Sequence, residues 1–250
     1  MARKSPAATP GSPFSSVGDR LPGMSKEIEA WEAQTKAVAG RFSKEYRRDD
    51  FELPDEIQAM PIFQDWVSGK LQQDVATPFW ELIKPKKNQK CLDIGCGISF
   101  LVYPWREWEA LFWGIDPSIV AYEGLKSRGP QLNSKLFKSI ERGVAHELPH
   151  SSEQFDLVIA TGWSCYYPLG YWKAALGEIK RVLKSDGRLV FDVLNPEAER
   201  AENWAILETY LGSEVFLESV EDWKAPVKEM GGKITKTKEG PLFTGMVASF

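Results

Sequence analysis

The sequence has little cysteine, little histidine and no surplus of positive charge. Its three cysteines, Cys91, Cys96 and Cys165, are too few and too unevenly spaced for a disulfide framework or a zinc site. That usage fits a reducing compartment, and the expected location is cytoplasmic. No apolar run approaches the roughly 20 residues of a membrane-spanning helix. Lys and Arg number 31 against 35 Asp and Glu, a net charge of −4, so no overall positive field gathers nucleic acid. Acid–base chemistry near neutral pH has only two histidines to draw on, His146 and His150. What is present is ordinary for a soluble globular chain. It is 43% hydrophobic and 26% charged over 250 residues, enough for one sizeable core with additions. The ten tryptophans are the compositional exception.

The chain is organised around Lys90-Cys91-Leu92-Asp93-Ile94-Gly95-Cys96-Gly97-Ile98. This reads as a short buried strand ending at Asp93-Ile94, then a turn with glycine at two alternate positions. Glycine there lets the backbone approach a ligand with no Cβ in the way. A helix beginning beyond the turn is expected to add free N–H groups and a positive dipole end. Asp93, where strand meets turn, is placed to accept from a donor on the ligand. Leu111-Phe112-Trp113-Gly114-Ile115-Asp116 is a second buried strand with a carboxylate at its end. Asp116 lies 21 positions after Gly95 (116 − 95), near the spacing of about 20 at which a strand-end acid accepts from ribose hydroxyls. The dinucleotide fingerprint G-x-G-x-x-G needs a third small residue. That place falls on Phe100, which argues against an NAD oxidoreductase. A structural strand–turn, or a helix cap at Asp116-Pro117-Ser118, accounts for either motif alone. The pair at this spacing favours a nucleotide-type ligand.

Residues 1–24 are rich in Pro, Ser, Gly and Ala and read as a disordered N-terminal arm. They lack the apolar region of a secretory signal, while Arg3 and Lys4 leave organelle targeting open. Residues 25–84 are expected as a helical extension. Ile28, Trp31, Thr35, Val38, Phe42 and Tyr46 recur at three- and four-residue steps, the buried stripe of an amphipathic helix that packs on the main domain or caps its site. A further helical region spans 55–82, with Thr77-Pro78 as cap and first residue of its last helix. From 85 to 250 strands and helices alternate. Residues 119–127 are expected as a helix closed by Arg128-Gly129-Pro130. A third strand falls within 135–145 and a fourth over 155–161. Leu169, Trp172, Leu176, Ile179 and Leu183 mark a helix ending at Lys184-Ser185-Asp186-Gly187, before a fifth strand over 188–194. Residues 195–219 read as a helical lid insertion, 220–230 as a helix, and 233–238 with 243–249 as a closing hairpin. Such alternation defines a doubly wound α/β domain.

Asp93-x-Gly95-x-Gly97 resembles motif I of the class I S-adenosylmethionine-dependent methyltransferases. The order of elements over roughly residues 70–250 is similar to the small-molecule, methyltransferase type 11 group of that family. The resemblance implies a Rossmann-like, seven-stranded, mostly parallel sheet with a C-terminal antiparallel hairpin strand, N-terminal helices, and S-adenosyl-L-methionine as cofactor. It assigns the cofactor to Asp93, Gly95, Cys96, Gly97, Asp116, Pro117, Ala145 and Thr161. The family carries an acidic and a small residue before a Leu-Pro pair, against the adenine. Here Val144 takes the acidic place and Ala145 the small one, ahead of Leu148-Pro149. Glu178 to Leu194 resembles the family's Glu-x-x-Arg-Val-Leu-Lys helix end, with Ser185-Asp186-Gly187 in place of the usual Pro-Gly-Gly turn.

The activity so implied is methyl transfer. Trp163, Tyr166 and Tyr167 follow the fourth strand on the side where ligands bind in such sheets and are expected to line an acceptor pocket. Trp172, on the helical stripe, is expected in the core. His146 and His150 are the candidate bases, with Cys165, Asp192 and Asn195 behind them; no metal is expected. Thr161-Gly162-Trp163-Ser164 replaces the signature of amino-methylating nucleic-acid enzymes, and Cys165 is not in a Pro-Cys pair, so nucleic acid is not the expected partner. A small aromatic or apolar molecule is the first expectation for the acceptor, a protein side chain the second. A cofactor-binding interaction module without turnover is the alternative from another class.

Overall fold

The central strand is β1 (Lys90–Ile94), buried from Cys91 to Ile94. In the computed structural model, which describes residues 22–98, 101, 103–133 and 135–250, β2 (Leu111–Asp116) lies parallel on one side of β1 and β4 (Phe155–Ala160) on the other. Next to β2 runs β3 (Phe137–Arg142), and next to β4 runs β5 (Leu183–Leu194), both parallel. The last strand, β7 (Phe243–Ser249), is antiparallel to β5 and to β6 (Lys233–Glu239), giving the order β3-β2-β1-β4-β5-β7-β6. This is the seven-stranded, mostly parallel sheet with a C-terminal antiparallel hairpin that the sequence led us to expect. Strands buried on both faces read as continuous apolar runs, which is why β4 was easy to see.

Helices cover both faces. On one, α7 (Leu169–Val182) brings Trp172, Leu176 and Ile179 against Phe191 and Val193. On the other, Phe79, Leu82 and Trp108 close over Cys91, Phe112, Leu157 and Val247. The first helix, α1 (Pro22–Arg47), begins three positions earlier than the apolar stripe suggested, and a proline suits a helix's first turn. Residues 1–21, most of the expected arm, lie outside the described residues, as does Phe100.

Three expectations change. The helix α6 (Ile119–Asn133) continues through Gly129-Pro130. A Cβ on Gly129 would lie 2.8 Å from the Phe137 ring, so this glycine admits a strand residue to the helix and does not end it. The helical region 55–82 is made of short pieces, and Thr77-Pro78 does not start a last α-helix. It breaks into α2 (Asp55–Gln58), α3 (Pro61–Val67), α4 (Leu71–Val75) and a 3₁₀ turn over Phe79–Glu81. Pro61 starts one piece, Gly69 at φ +80° separates two more, and Pro78 starts only the 3₁₀ turn. In β5, Leu183 pairs with Phe155 directly after α7, and pairing resumes at Arg188–Leu157. Lys184 to Gly187 therefore form a bulge in the strand, not a turn before it. The helix expected directly behind the glycine turn falls on a segment in which residues 99, 100 and 102 lie outside the described residues; Leu101 is in a 3₁₀ turn, and the next described α-helix is α5 (Trp105–Trp108), of four residues.

The segment after β5 contains α8 (Ala201–Leu211), followed by α9 (Val220–Glu229), whose first turn is capped by the Ser219 hydroxyl accepting from the Asp222 N–H. The helices α1 and α8 meet at a buried ion pair. Arg41 on α1 donates from Nε and Nη2 to the two carboxylate oxygens of Glu208 on α8, each at 2.7 Å. This seats α1 across the carboxyl ends of the strands.

Candidate active site

Both turn glycines adopt left-handed backbone, Gly95 at φ +67° and Gly97 at φ +50°, where other residues are disfavoured. The turn's N–H groups face β2. Gly95 and Cys96 donate to the Ile115 carbonyl at 2.8 and 3.3 Å, and Gly97 donates to Asp116 Oδ2 at 2.7 Å. The amides expected to reach a ligand are thus engaged within the fold. The carbonyl oxygens of Gly95 and Gly97 accept no hydrogen bond among the described residues. Aromatic side chains cover the glycine faces. A Cβ on Gly95 would lie 2.7 Å from Trp163 Cδ1, and one on Gly97 would collide with the Tyr46 hydroxyl.

Two buried carboxyl groups, Asp116 and Asp93, stand at this turn, and a third, Asp192, lies two strands away on β5. Asp116 accepts from Gly97 and, through Oδ1, from the Ser118 N–H at 2.8 Å. Burial pushes it up to about 6 against the pull of those two amides, so it is ionised at neutral pH. Asp93 stands on the opposite sheet face from Ile94, as strand alternation requires. The Tyr103 hydroxyl donates to its Oδ2 at 2.6 Å, yet burial pushes Asp93 up to about 8, and it keeps its proton at neutral pH. Asp192 accepts from the Gly162 N–H at 2.7 Å and is pushed by burial up to about 6.

A cavity of about 160 Å³ opens at the carboxyl ends of β1, β2 and β4. The structure brings Gly95, Gly97, Asp116, Pro117, Ala145, Thr161, Trp163 and Tyr167 together on its wall. Asp93, Cys96 and Tyr166 are buried but do not line it. The Tyr166 ring packs instead against Phe42 and Trp204, with centroids 5.5 and 5.9 Å away. Four residues of α1, Val38, Ala39, Phe42 and Tyr46, form the roof. Tyr171, which stacks on Tyr167 at 4.0 Å and accepts from the Ala145 N–H through its hydroxyl, completes the aromatic side. The sequence places Tyr171 in the aromatic cluster after the fourth strand, but the expected wall was Trp163, Tyr166 and Tyr167. Trp172 is core, with its indole N–H donating to the Trp223 carbonyl at 3.2 Å.

Neither histidine lies on the cavity wall. His146 packs between Trp31 and Tyr171. His150 meets Phe155 edge-on at 5.0 Å, at the start of β4, a whole strand away from Thr161 at about 3.3 Å per residue. Burial lowers its pKa, and nearby Arg181 adds to that. The Glu178-x-x-Arg181 pair supports this loop. Glu178 accepts from the Leu148 N–H at 2.9 Å, and Arg181 donates to the carbonyls of Leu148 and His150. Among the described residues no three His, Cys, Asp or Glu gather to hold a metal, and no helix is long and apolar enough to cross a membrane.

A parallel sheet with a glycine turn, a strand-end acid on the next strand and a cavity at the strands' carboxyl ends defines a Rossmann-like nucleotide-cofactor domain. Residues 92–191, from within β1 to within β5, match the family described as methyltransferase domain. In that match and in its sheet order the chain is similar to the S-adenosylmethionine-dependent methyltransferases. Solved structures share its fold. A SAM-dependent methyltransferase from Aquifex aeolicus superposes with a TM-score of 0.55 at 16% identity, over 76% of this chain and 97% of its own. Geranyl diphosphate C-methyltransferase from Streptomyces coelicolor A3(2) gives 0.63 at 12% identity, over 86% and 97%. A Haloferax volcanii putative methyltransferase, solved in complex with the Trm112 methyltransferase activator, gives 0.58 at 15%, over 80% and 98%. None of the curated proteins matches the chain by sequence. The residues present suit the family's cofactor. The turn offers glycine and two open carbonyls, Asp116 is ionised one strand over, and Trp163 Nε1 is buried without a partner at the same place.

Proposed function

We infer that this S-adenosylmethionine-dependent methyltransferase acts on a small, aromatic or apolar acceptor. The observation that carries the reading is the roof. Val38, Phe42 and Tyr46 of α1 cover the strand ends, and Trp163, Tyr167 and Tyr171 face them across the cavity. An enclosed aromatic wall suits a small molecule better than a protein side chain presented on a large surface. One structure of the same fold belongs to a methyltransferase of geranyl diphosphate, itself a small molecule; that likeness is one of fold, and the acceptor reading rests on the wall.

The residues' roles follow from their chemistry. Ionised Asp116 offers acceptors to two vicinal hydroxyls of a ribose. Pro117, Val144 and Ala145 give apolar surface for a base, with no carboxylate at Val144. The aromatic faces favour a cation and solvate it weakly. When bound, the cofactor supplies a methyl group on a sulfonium sulfur, whose C–S bond breaks, its electron pair staying on sulfur, as the bond to the acceptor forms. The protein's part is to align the acceptor and keep water out. With both histidines off the wall, the site suits an acceptor that is nucleophilic as bound.

Incubation with methyl-labelled cofactor and a small-metabolite extract tests this. Label is expected in a small organic-soluble product, and not with Asp116→Ala. Label in protein would favour a side-chain acceptor. Cofactor binding without transfer would favour the non-catalytic module.

A further inference from the structure

The glycine turn poses a recognition problem. The amino-acid end of S-adenosylmethionine carries an ammonium and a carboxylate. Among the described residues the Gly95 and Gly97 carbonyls accept no hydrogen bond; a carbonyl accepts from an ammonium and repels a carboxylate. Its N–H groups at Gly95, Cys96 and Gly97 already donate to Ile115 and Asp116. A carboxylate placed here without donors would be a buried, uncompensated charge.

Two side-chain donors stand at the turn without partners. Trp163 is 6% exposed, and its Nε1 is buried with no hydrogen bond. Its indole edge meets the turn at Cδ1, the atom bonded to Nε1, against Gly95. The Tyr46 hydroxyl lies over Gly97 and makes no hydrogen bond among the described residues. Both side chains line the cavity. Burial, with Asp116 nearby, raises the Tyr46 pKa well above its ordinary value, so the phenol keeps its proton and is available to donate. Trp108 and Trp223 also hold buried indole N–H groups without a partner among the described residues, but of the three Trp163 lines the cavity, and it and Tyr46 flank the two glycines.

We propose that the Trp163 indole N–H and the Tyr46 hydroxyl bind the carboxylate of the cofactor's amino-acid end, the Gly95, Cys96 and Gly97 amides being engaged within the fold. This rests on the reading of the cavity as the S-adenosylmethionine site. It makes α1 part of cofactor recognition, since Tyr46 is its penultimate residue. It also moves Trp163 and Tyr46 from the acceptor's wall to the cofactor's, leaving Phe42, Tyr167 and Tyr171 to the acceptor.

Calorimetric titration with S-adenosylmethionine and with its decarboxylated form separates the outcomes. Trp163→Phe keeps an aromatic ring and removes the N–H. It is expected to weaken S-adenosylmethionine about tenfold and to leave the decarboxylated form within about twofold. Tyr46→Phe, which removes one hydroxyl at a half-buried position, is expected to do the same and carries the test should Trp163→Phe not fold. Equal loss for both ligands would overturn the proposal, because the side chains would then serve the cavity's shape. Unchanged affinity for both would overturn it too. Failure of the unaltered protein to bind either compound would overturn the cofactor reading itself.

Discussion

The Tyr46 hydroxyl stands over Gly97, in the space where any side chain at that position would begin. A residue of α1 and a glycine of the β1 turn, 51 positions apart (97 − 46), therefore share one site. Gly97→Ala meets two obstacles, a left-handed backbone at φ +50° and this hydroxyl. It is expected to lower unfolding free energy by about 3 kcal/mol. In a Tyr46→Ala background the cost should fall to about 1–2 kcal/mol, the backbone part alone. Denaturant titration of the four proteins measures the coupling, and equal costs in both backgrounds would remove the contact from consideration.

The Arg41–Glu208 pair holds α1 to α8 with both side chains almost fully buried, 3% and 4% exposed. Burial opposes the guanidinium's charge, and Glu208 more than restores it, so Arg41 is held above its ordinary value. Arg41 also pairs with Glu45, so removing Glu208 leaves the buried guanidinium one partly exposed carboxylate. Glu208→Gln is expected to cost about 3 kcal/mol, the low end for a broken buried pair. The double replacement Arg41→Met with Glu208→Leu should recover most of that. Thermal unfolding of the single and double variants checks both statements.

Stability should depend on pH through Asp93. Its folded value of about 8 lies above the ordinary 3.8, so between those values the folded chain binds more protons than the unfolded one. The stabilisation is therefore complete below about pH 4 and is lost as pH rises through about 8. Asp93→Asn, which stays neutral and still offers an oxygen to Tyr103, is expected to flatten this slope. Its melting temperature relative to the unaltered protein should rise between pH 5 and pH 8.5. Parallel curves would show that Asp93 is already ionised in the fold.

His150 packs on Phe155 at the amino end of β4, away from the cavity. Replacing it by Ala should leave methyl transfer within about twofold, since a general base contributes typically 10²–10⁴-fold. A loss in that larger range would return it to the mechanism.

Parts of this architecture were legible because the signal is local. The strand and turn from Lys90 to Ile98 and the acid at Asp116 declare themselves by apolar runs and by spacing. The hairpin of β6 and β7 lies within two residues of the expected bounds. What was hidden depends on distant partners. Gly129 looks like a helix stop until Phe137 is seen against it. Asp93 looks like a ligand acceptor until Tyr103 is found on it. The turn's amides look free until the alignment of β1 beside β2 aims them at Ile115 and Asp116. Arg41 reads as a surface charge on an amphipathic helix, and only Glu208, 167 positions away, explains its burial.

Binding at Asp116 tests the central claim most directly. Calorimetry of the purified chain with S-adenosylhomocysteine at neutral pH is expected to give one site per chain. Asp116→Ala, with its fold checked by circular dichroism, is expected to bind about 10- to 100-fold more weakly. No heat from the unaltered chain, or unchanged affinity in the variant, would contradict the assignment of this cavity to the cofactor.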